Sequence, residues 1–438
     1  MVLTLFMLTY RVLWTLLLPV VILYLWKRGR RDADYWSHLL ERFGFYRAPL
    51  PRDAIWVHAV SLGEIRSATA LIQMLVARGD RVVITNFTPA GRREAKRQFA
   101  ADISAGRVAV VWVPFDMAWT YARFFRACTP RIGLTLEVEV WPMMIHAARR
   151  AGVPLFMCNG QYGTRPLARD SRGLRIRQRV MRGLSGVFVK SQMQAARFEK
   201  VGVGPVTITG ELRFDQPIPQ AQVDAAQTAR SLFAHSGEVI AIASGVEGEE
   251  ELFVSLITRV RAAALAAGRP APLFVYVPRA PERFDAVAEK IAAAGLNLQR
   301  RSAAFTPDLA GTQNGFPAGT AVILGDSLGE MFFYLGLSDR VIVGGGFTPD
   351  GAHNIIEPLS LRRPVVTGPH TWPIEYPFVE AEAAGVAVSV PDSDAMAAYL
   401  AAPLGDMSAK IDAFLAEHAG ASAHTIHAID RVLSGTSR

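Results

Sequence analysis

The stretch IWVHAVSLGEIRSA, Ile55 to Ala68, passes from a continuous apolar run into a short turn and then into residues spaced for a helix. Successive apolar side chains suit a strand buried on both faces, and Ala68, Leu71, Ile72 and Leu75 then recur on one helical face. A strand followed at once by a covering helix is the repeating unit of a parallel α/β sheet. The turn between them carries a carboxylate, Glu64. The helix dipole favours an acid near a helix start, and loops at the carboxyl ends of such strands are also where open α/β sheets bind ligands. Both readings of Glu64 stand at this point.

Outward from this unit the alternation continues. RVVIT, RVAVVWVP, RIGLTLEV, VPLFMCN, GVFVKS and VTITGE read as buried strands, separated by helical segments such as MMIHAARRAG and QMQAARFEKVG. The proline-bearing FDQPIPQAQ reads as a linker. A second series then runs through EVIAIASG, PLFVYVPRA, TAVILGD, RVIVGGG, PVVTGP and GVAVSV, and closes with an Ala-rich helical segment from about Met407 to Leu433. The expected organisation is an N-terminal anchor over 1–30 and two Rossmann-like domains, 31–218 and 219–438, with a cleft between the two that can shut a ligand away from water.

A chain of 438 residues, half of them hydrophobic, is long enough for two such cores. Its two cysteines, Cys128 and Cys158, are too few for a disulfide framework and lack metal-ligand spacing. A net charge of +8 points to an anionic partner. Val12 to Trp26 carries no charge, follows another apolar run and ends at KRGRR. That pattern predicts an uncleaved membrane anchor with the remainder on the cytoplasmic side; Arg11 and Pro19 leave open whether it spans or is embedded. RPLARDSRGLRIRQRVMR, Arg165 to Arg182, holds seven arginines and one aspartate. It is either a solvated face or a surface for lipid phosphates, since the planar guanidinium suits phosphate oxygens. No aromatic residues interleave it, so nucleic acid is not the expected partner.

Several loops at strand ends could carry chemistry. Glu137 and Glu139 in LEVEVWP occupy alternate positions, which on a strand places both acids on one face; a strand end with one acid paired to an arginine is the other reading. VPRAPERF presents Arg279 from a stiff proline-flanked loop. Ser327 with Glu330, and Asn354 with Glu357 after a glycine turn, stand at capping-box spacing, so that helix starts with free N–H groups would form a nucleotide bed. The chain has no G-x-G-x-x-G dinucleotide fingerprint, Walker A sequence or HExxH motif, and its histidines, His58 and His353 included, read as structural.

The segments ERFGFY, VHAVSLGE, TPAGRREA, EVEVWP, GELRFD, EGEEE, VPRAPERF, GDSLGEM, GAHNIIEP and GPHTWP occur in an order that resembles the 3-deoxy-D-manno-octulosonic acid (Kdo) transferases of Gram-negative bacteria. The resemblance implies a membrane-associated glycosyltransferase of the B-type fold. It would act in lipopolysaccharide biosynthesis at the bacterial inner membrane, moving Kdo from the donor CMP-Kdo to a lipid A precursor with inversion and with neither cofactor nor metal. It also implies roles for particular residues: Glu64 as general base, Glu137 and Arg213 assisting the transition state, and Pro278, Arg279, Leu328, Gly329, Glu330, Asn354, Ile355, Ile356 and Glu357 touching CMP. The chain departs from the family pattern in having Gly245 and Val246 where Thr-His is usual, Ala280 in place of a histidine, and Gly160 and Gln161 after Asn159. Three other readings stay open: a divergent paralogue with another CMP-activated acid sugar or lipid, a tethered CMP-sugar-binding protein without turnover, and a transferase using a UDP-sugar.

Overall fold

The computed structural model describes every residue except 232, 234–236, 311–316, 318 and 436–438. The chain divides into two compact units. One comprises Met1–Pro217 together with the described residues from His418 onward, and the other comprises Ile218–Glu417.

The sheet of the first unit contains β1 (Ile55–His58), β2 (Val82–Asn86), β3 (Val108–Trp112), β4 (Ile132–Leu136), β5 (Leu155–Gly160), β6 (Gly186–Val189) and β7 (Val206–Ile208). The strand order is β3-β2-β1-β4-β5-β6-β7, and every pairing is parallel. Strand alternation splits β1 between two cores: Trp56 packs with Tyr121, Phe124 and Met157 on one face, and Ile55 and Val57 pack with Ile65, Leu71 and Ile84 on the other. The helix Leu62–Ala77 buries the stripe Ala68, Leu71, Ile72 and Leu75, which carries it across the sheet directly after the Glu64 turn.

The closing helix Ala421–Gly435 belongs to this unit, whereas the range 219–438 had assigned it to the second domain. Its apolar residues Ala421, Ala428 and Ile429 share a core with Ile65 and Leu71. Asp215 fixes its start, accepting from the N–H of Gly420 at 2.7 Å and of Ser422 at 2.6 Å.

The second unit repeats the architecture with β8 (Val239–Gly245), β9 (Leu273–Pro278), β10 (Leu298–Arg300), β11 (Val322–Leu324), β12 (Arg340–Val343), β13 (Val365–Thr367) and β14 (Ala387–Ser389). These run in the order β10-β11-β9-β8-β12-β13-β14, again all parallel, around a core that includes Ile240, Ile242, Phe253, Phe274 and Val366.

The N-terminal segment is one helix, Val2–Gly29, which continues through Pro19 and is long and apolar enough to cross a membrane. One side docks on the first unit. Tyr10 donates its hydroxyl to Asp116 Oδ2 at 2.7 Å, and Leu25 is buried against Phe115 and Met117. Elsewhere the helix exposes Leu5, Leu8, Val12, Leu16, Val20 and Leu23.

Candidate active site

Ser61 caps the helix Leu62–Ala77, its hydroxyl oxygen accepting the Glu64 N–H at 3.4 Å. Glu64 completes a reciprocal arrangement: Oε1 accepts from Ser61 Oγ at 2.9 Å, and Oε2 accepts from the Val60 N–H at 2.8 Å. The dipole reading and the ligand reading of this acid are therefore compatible, because the cap holds the carboxylate in one orientation. Glu64 is only 8% exposed. Burial, against the stabilising Val60 hydrogen bond and with added repulsion from Glu137 and Glu139, raises its pKa to about 7. A carboxylate balanced near neutrality is suited to taking up a proton and releasing it again.

Glu137 and Glu139 are near enough to Glu64 to repel its charge, but not through strand alternation. β4 ends at Leu136, and Glu137 adopts a left-handed backbone conformation with φ +53°. Glu137 Oε1 lies 2.5 Å from Arg213 Nη2, which is the acid–arginine pairing left open above. Glu139 accepts from Trp141 Nε1 at 2.6 Å, and burial raises its pKa.

Behind Arg213 lies a charged network that the motif reading did not assign. Lys190 Nζ and Glu211 Oε2 are 2.6 Å apart and almost wholly buried. Asn159 Nδ2 donates to Glu211 Oε1 at 2.8 Å, while Asn159 Oδ1 accepts the Leu212 N–H at 3.0 Å. Glu211 also accepts the Arg213 N–H at 3.2 Å, so the turn carrying Arg213 is pinned at its base. Burial opposes the charge of Glu211, but the Lys190 and Arg213 charges outweigh it and hold the pKa at about 2. Gln161, one of the family departures, accepts from Lys190 at 3.0 Å. His58 is structural: it is fully buried, hydrogen-bonded to Thr85 at 2.9 Å, and burial lowers its pKa to about 4.

In the second unit, Glu249 from the EGEEE segment shapes the glycine turn. Its carboxylate accepts the N–H groups of Gly345 at 2.7 Å, Phe347 at 2.9 Å and Val246 at 3.4 Å. A Cβ on Gly346 would come within 2.3 Å of Thr367 Oγ1, so the turn requires glycine there. Arg279 follows Pro278 at the end of β9, and its N–H donates to the Gly245 carbonyl at 2.9 Å. The Arg279 guanidinium contacts the His353 ring, with Nη1 2.6 Å from Nε2. Burial and the adjacent guanidinium lower the His353 pKa to about 4, leaving the ring neutral and the Arg279 charge uncompensated by it. Gly245 is a close approach, because a Cβ there would meet the Tyr276 ring at 2.4 Å; that ring fills the space a side chain would need.

The two expected capping boxes do not form. The helix after Ser327 begins at Met331, and Glu330 is drawn sideways to Arg301 at 2.6 Å and to the Ser327 hydroxyl. Asn354 Oδ1 accepts the Ile356 N–H at 2.9 Å, ahead of a short helix Ile356–Ser360. Leu328 is exposed, Gly329 has φ +83°, and the side chains of Ile355 and Ile356 are buried.

The Arg165–Arg182 stretch folds into the short helices Thr164–Asp170 and Ile176–Met181. Arg177 donates to the Val138 carbonyl at 2.8 Å, tying this stretch to the loop of Glu137 and Glu139. Among the described residues no group of three or more His, Cys, Asp or Glu side chains could hold a metal ion.

Residues 37–216 match the family model for 3-deoxy-D-manno-octulosonic-acid transferase. Over 425 residues the chain is 37% identical to the 3-deoxy-D-manno-octulosonic acid transferase of Bordetella pertussis, covering 94% of this chain and 96% of that protein. The chain belongs to the Kdo transferase family. It is also 28% identical over 360 residues to the Haemophilus influenzae Kdo transferase, covering 81% of this chain and 80% of that one. In fold it is similar to Anabaena HepE in complex with UDP and glucose, at a TM-score of 0.53 and 14% identity, over 87% of this chain and all of that one. The class of two Rossmann-like domains expected for a B-type glycosyltransferase is the one observed; Glu64 lies in the first turn of the helix after β1, Glu137 directly follows β4, Arg213 lies in the turn Leu212–Asp215 after β7, and Arg279 directly follows β9.

Proposed function

We infer that the protein is a glycosyltransferase that moves Kdo from CMP-Kdo to a lipid A precursor in lipopolysaccharide biosynthesis. It would work at the inner face of the cytoplasmic membrane, held there by the helix Val2–Gly29. The supporting observation is the 37% identity to the Bordetella pertussis transferase, which extends over 94% of the chain and so takes in both units.

The side chains fit the reaction. A sugar hydroxyl is a poor nucleophile at neutral pH, and a carboxylate that takes its proton as the new bond forms contributes roughly 10²–10⁴ in rate. Glu64 is assigned that part, with a pKa of about 7 and an orientation fixed by Ser61 and Val60. The hydroxyl oxygen bonds to the anomeric carbon of Kdo, the bond from that carbon to the phosphate oxygen breaks, and CMP leaves with the electron pair. Attack from the side opposite CMP inverts the anomeric centre. Charge accumulating on the phosphate is met by Arg279 and the backbone N–H groups near Leu328 to Glu330 and Asn354 to Glu357, and Glu137 and Arg213 are assigned to assisting the transition state. Glu357 accepts from the ribose hydroxyls.

Incubation of the purified full chain with CMP-Kdo and a tetraacylated lipid A precursor, followed by mass analysis of the lipid, tests this. A product heavier by one or more Kdo residues is expected. Unchanged lipid with CMP-Kdo, together with transfer from a UDP-sugar, would overturn it.

A further inference from the structure

Arg11 sits within the apolar helix Val2–Gly29, and its Nη2 lies 3.0 Å from His146 Nε2. Its Nε is buried without a hydrogen-bond partner. An imidazole does not neutralise a guanidinium. Burial, together with the charges of Arg11, Arg150 and Arg149, lowers the His146 pKa, so the ring stays neutral and the cluster keeps its full positive charge.

Beside this cluster a cavity of about 310 Å³ opens between the start of the N-terminal helix, at Leu3 and Met7, and a wall formed by His146, Arg149, Arg179 and Arg182. No acidic side chain lines it. Arg179 and Arg182 each direct Nε to a carbonyl, of Leu174 at 2.9 Å and of Val201 at 2.8 Å. None of these three arginines forms an ion pair among the described residues. The nearby acid, Asp116, is already engaged by Tyr10 and by the N–H groups of Met143 and Met144.

Guanidiniums without counter-charges beside an apolar helix form a site that needs an anion, and the planar fork is matched to phosphate. We propose that this cavity binds the phosphate-bearing headgroup of an anionic phospholipid, whose acyl chains follow the apolar helix from Leu3 and Met7. The lipid would join the N-terminal helix to the folded unit by neutralising Arg149, Arg179 and Arg182 while packing on Leu3 and Met7. This rests on reading Val2–Gly29 as a membrane helix, narrows the lipid-phosphate reading of the Arg165–Arg182 stretch to Arg179 and Arg182 with Arg149, and is distinct from the Glu64 site.

The test uses the full chain in an uncharged detergent, without donor or acceptor, and follows thermal unfolding against added phosphatidylglycerol, phosphatidylcholine, inorganic phosphate and the tetraacylated acceptor. A midpoint that rises with phosphatidylglycerol alone is expected. In Arg149→Gln/Arg179→Gln, whose altered side chains are exposed, the apparent affinity should fall by about tenfold or more, with the lipid-free midpoint unchanged. Met7→Trp, which fills the cavity and keeps every charge, should lose the response as well. Equal stabilisation by phosphatidylcholine or inorganic phosphate, displacement of phosphatidylglycerol by the acceptor, or a full response in both variants would overturn the proposal. Transfer is not measured in this experiment, so its failure would be distinct from failure of the transferase reading.

Discussion

Glu137 Oε1 and Arg213 Nη2 lie 2.5 Å apart, joining the turn after β4 to the turn Leu212–Asp215. Two groups that position each other should behave as one unit in kinetics. Arg213→Ala is expected to lower kcat by about 10²–10³ with a smaller effect on KM, as for loss of a donor to developing charge. Glu137→Ala/Arg213→Ala should be little worse than Arg213→Ala alone. Steady-state rates for the two single variants and the double variant decide this, and strictly multiplicative losses would separate the two residues.

The Lys190–Glu211 pair carries the base of the same turn. Removing one member of a buried ion pair leaves an uncompensated charge, so Lys190→Met should destabilise the first unit by about 3–5 kcal/mol. The pH dependence has a definite sign. Glu211 is held at about 2 in the folded state, so its contribution is complete above the ordinary carboxylate range and is lost as the pH falls through about 2. Denaturant titrations from pH 7 down to pH 3 should show the difference between the wild type and Lys190→Met narrowing as acid protonates the unpaired Glu211 of the variant.

Donor recognition is assigned to Arg279, whose charge the neutral His353 does not offset. A charge-assisted hydrogen bond contributes about 1.5–3 kcal/mol, so Arg279→Ala should weaken CMP binding by roughly 10- to 100-fold. Calorimetric titration measures this directly. CMP should bind the wild type and UDP should not, and an unchanged CMP affinity in the variant would remove Arg279 from the donor site.

The strands were legible because a parallel strand covered on both faces leaves an uninterrupted apolar run, as in IWVH and VIAIA. β10 was not: Leu298, Gln299 and Arg300 form a half-buried edge with one apolar residue. Glu64 was legible from its place at a strand end. Lys190, Glu211 and Glu249 resembled solvated loop charges and became buried only through contacts distant in sequence; the available signal was their position directly after apolar strands or within a run of acids. Capping-box spacing misled at Ser327 and Asn354 because Arg301 and the local backbone took the side chains instead. The return of Ala421–Gly435 to the first unit depends on Asp215, some two hundred residues earlier, and no local pattern records it.

Glu64 should be destabilising when ionised. Its folded-state pKa of about 7 lies above the ordinary carboxylate value, so the unfolded chain holds fewer protons between about pH 4.5 and 7 and stability falls as the pH rises through that window. Glu64→Gln is therefore expected to match the wild type near pH 5 and to exceed it at pH 8, by up to about 3 kcal/mol. Urea unfolding at the two pH values checks it. A variant less stable than the wild type at pH 8 would show that the Ser61 and Val60 hydrogen bonds outweigh burial.

The most direct test of Glu64 as the base is the pH profile of Kdo transfer in the wild type and in Glu64→Gln, with CMP affinity measured on the same preparations. The wild-type kcat/KM should rise with pH to a plateau through an ionisation near 7, and the variant should lose about 10²–10⁴ in rate together with that limb, while binding CMP normally. A Glu64→Gln enzyme within tenfold of the wild type, or one that keeps the ionisation near 7, would contradict the account.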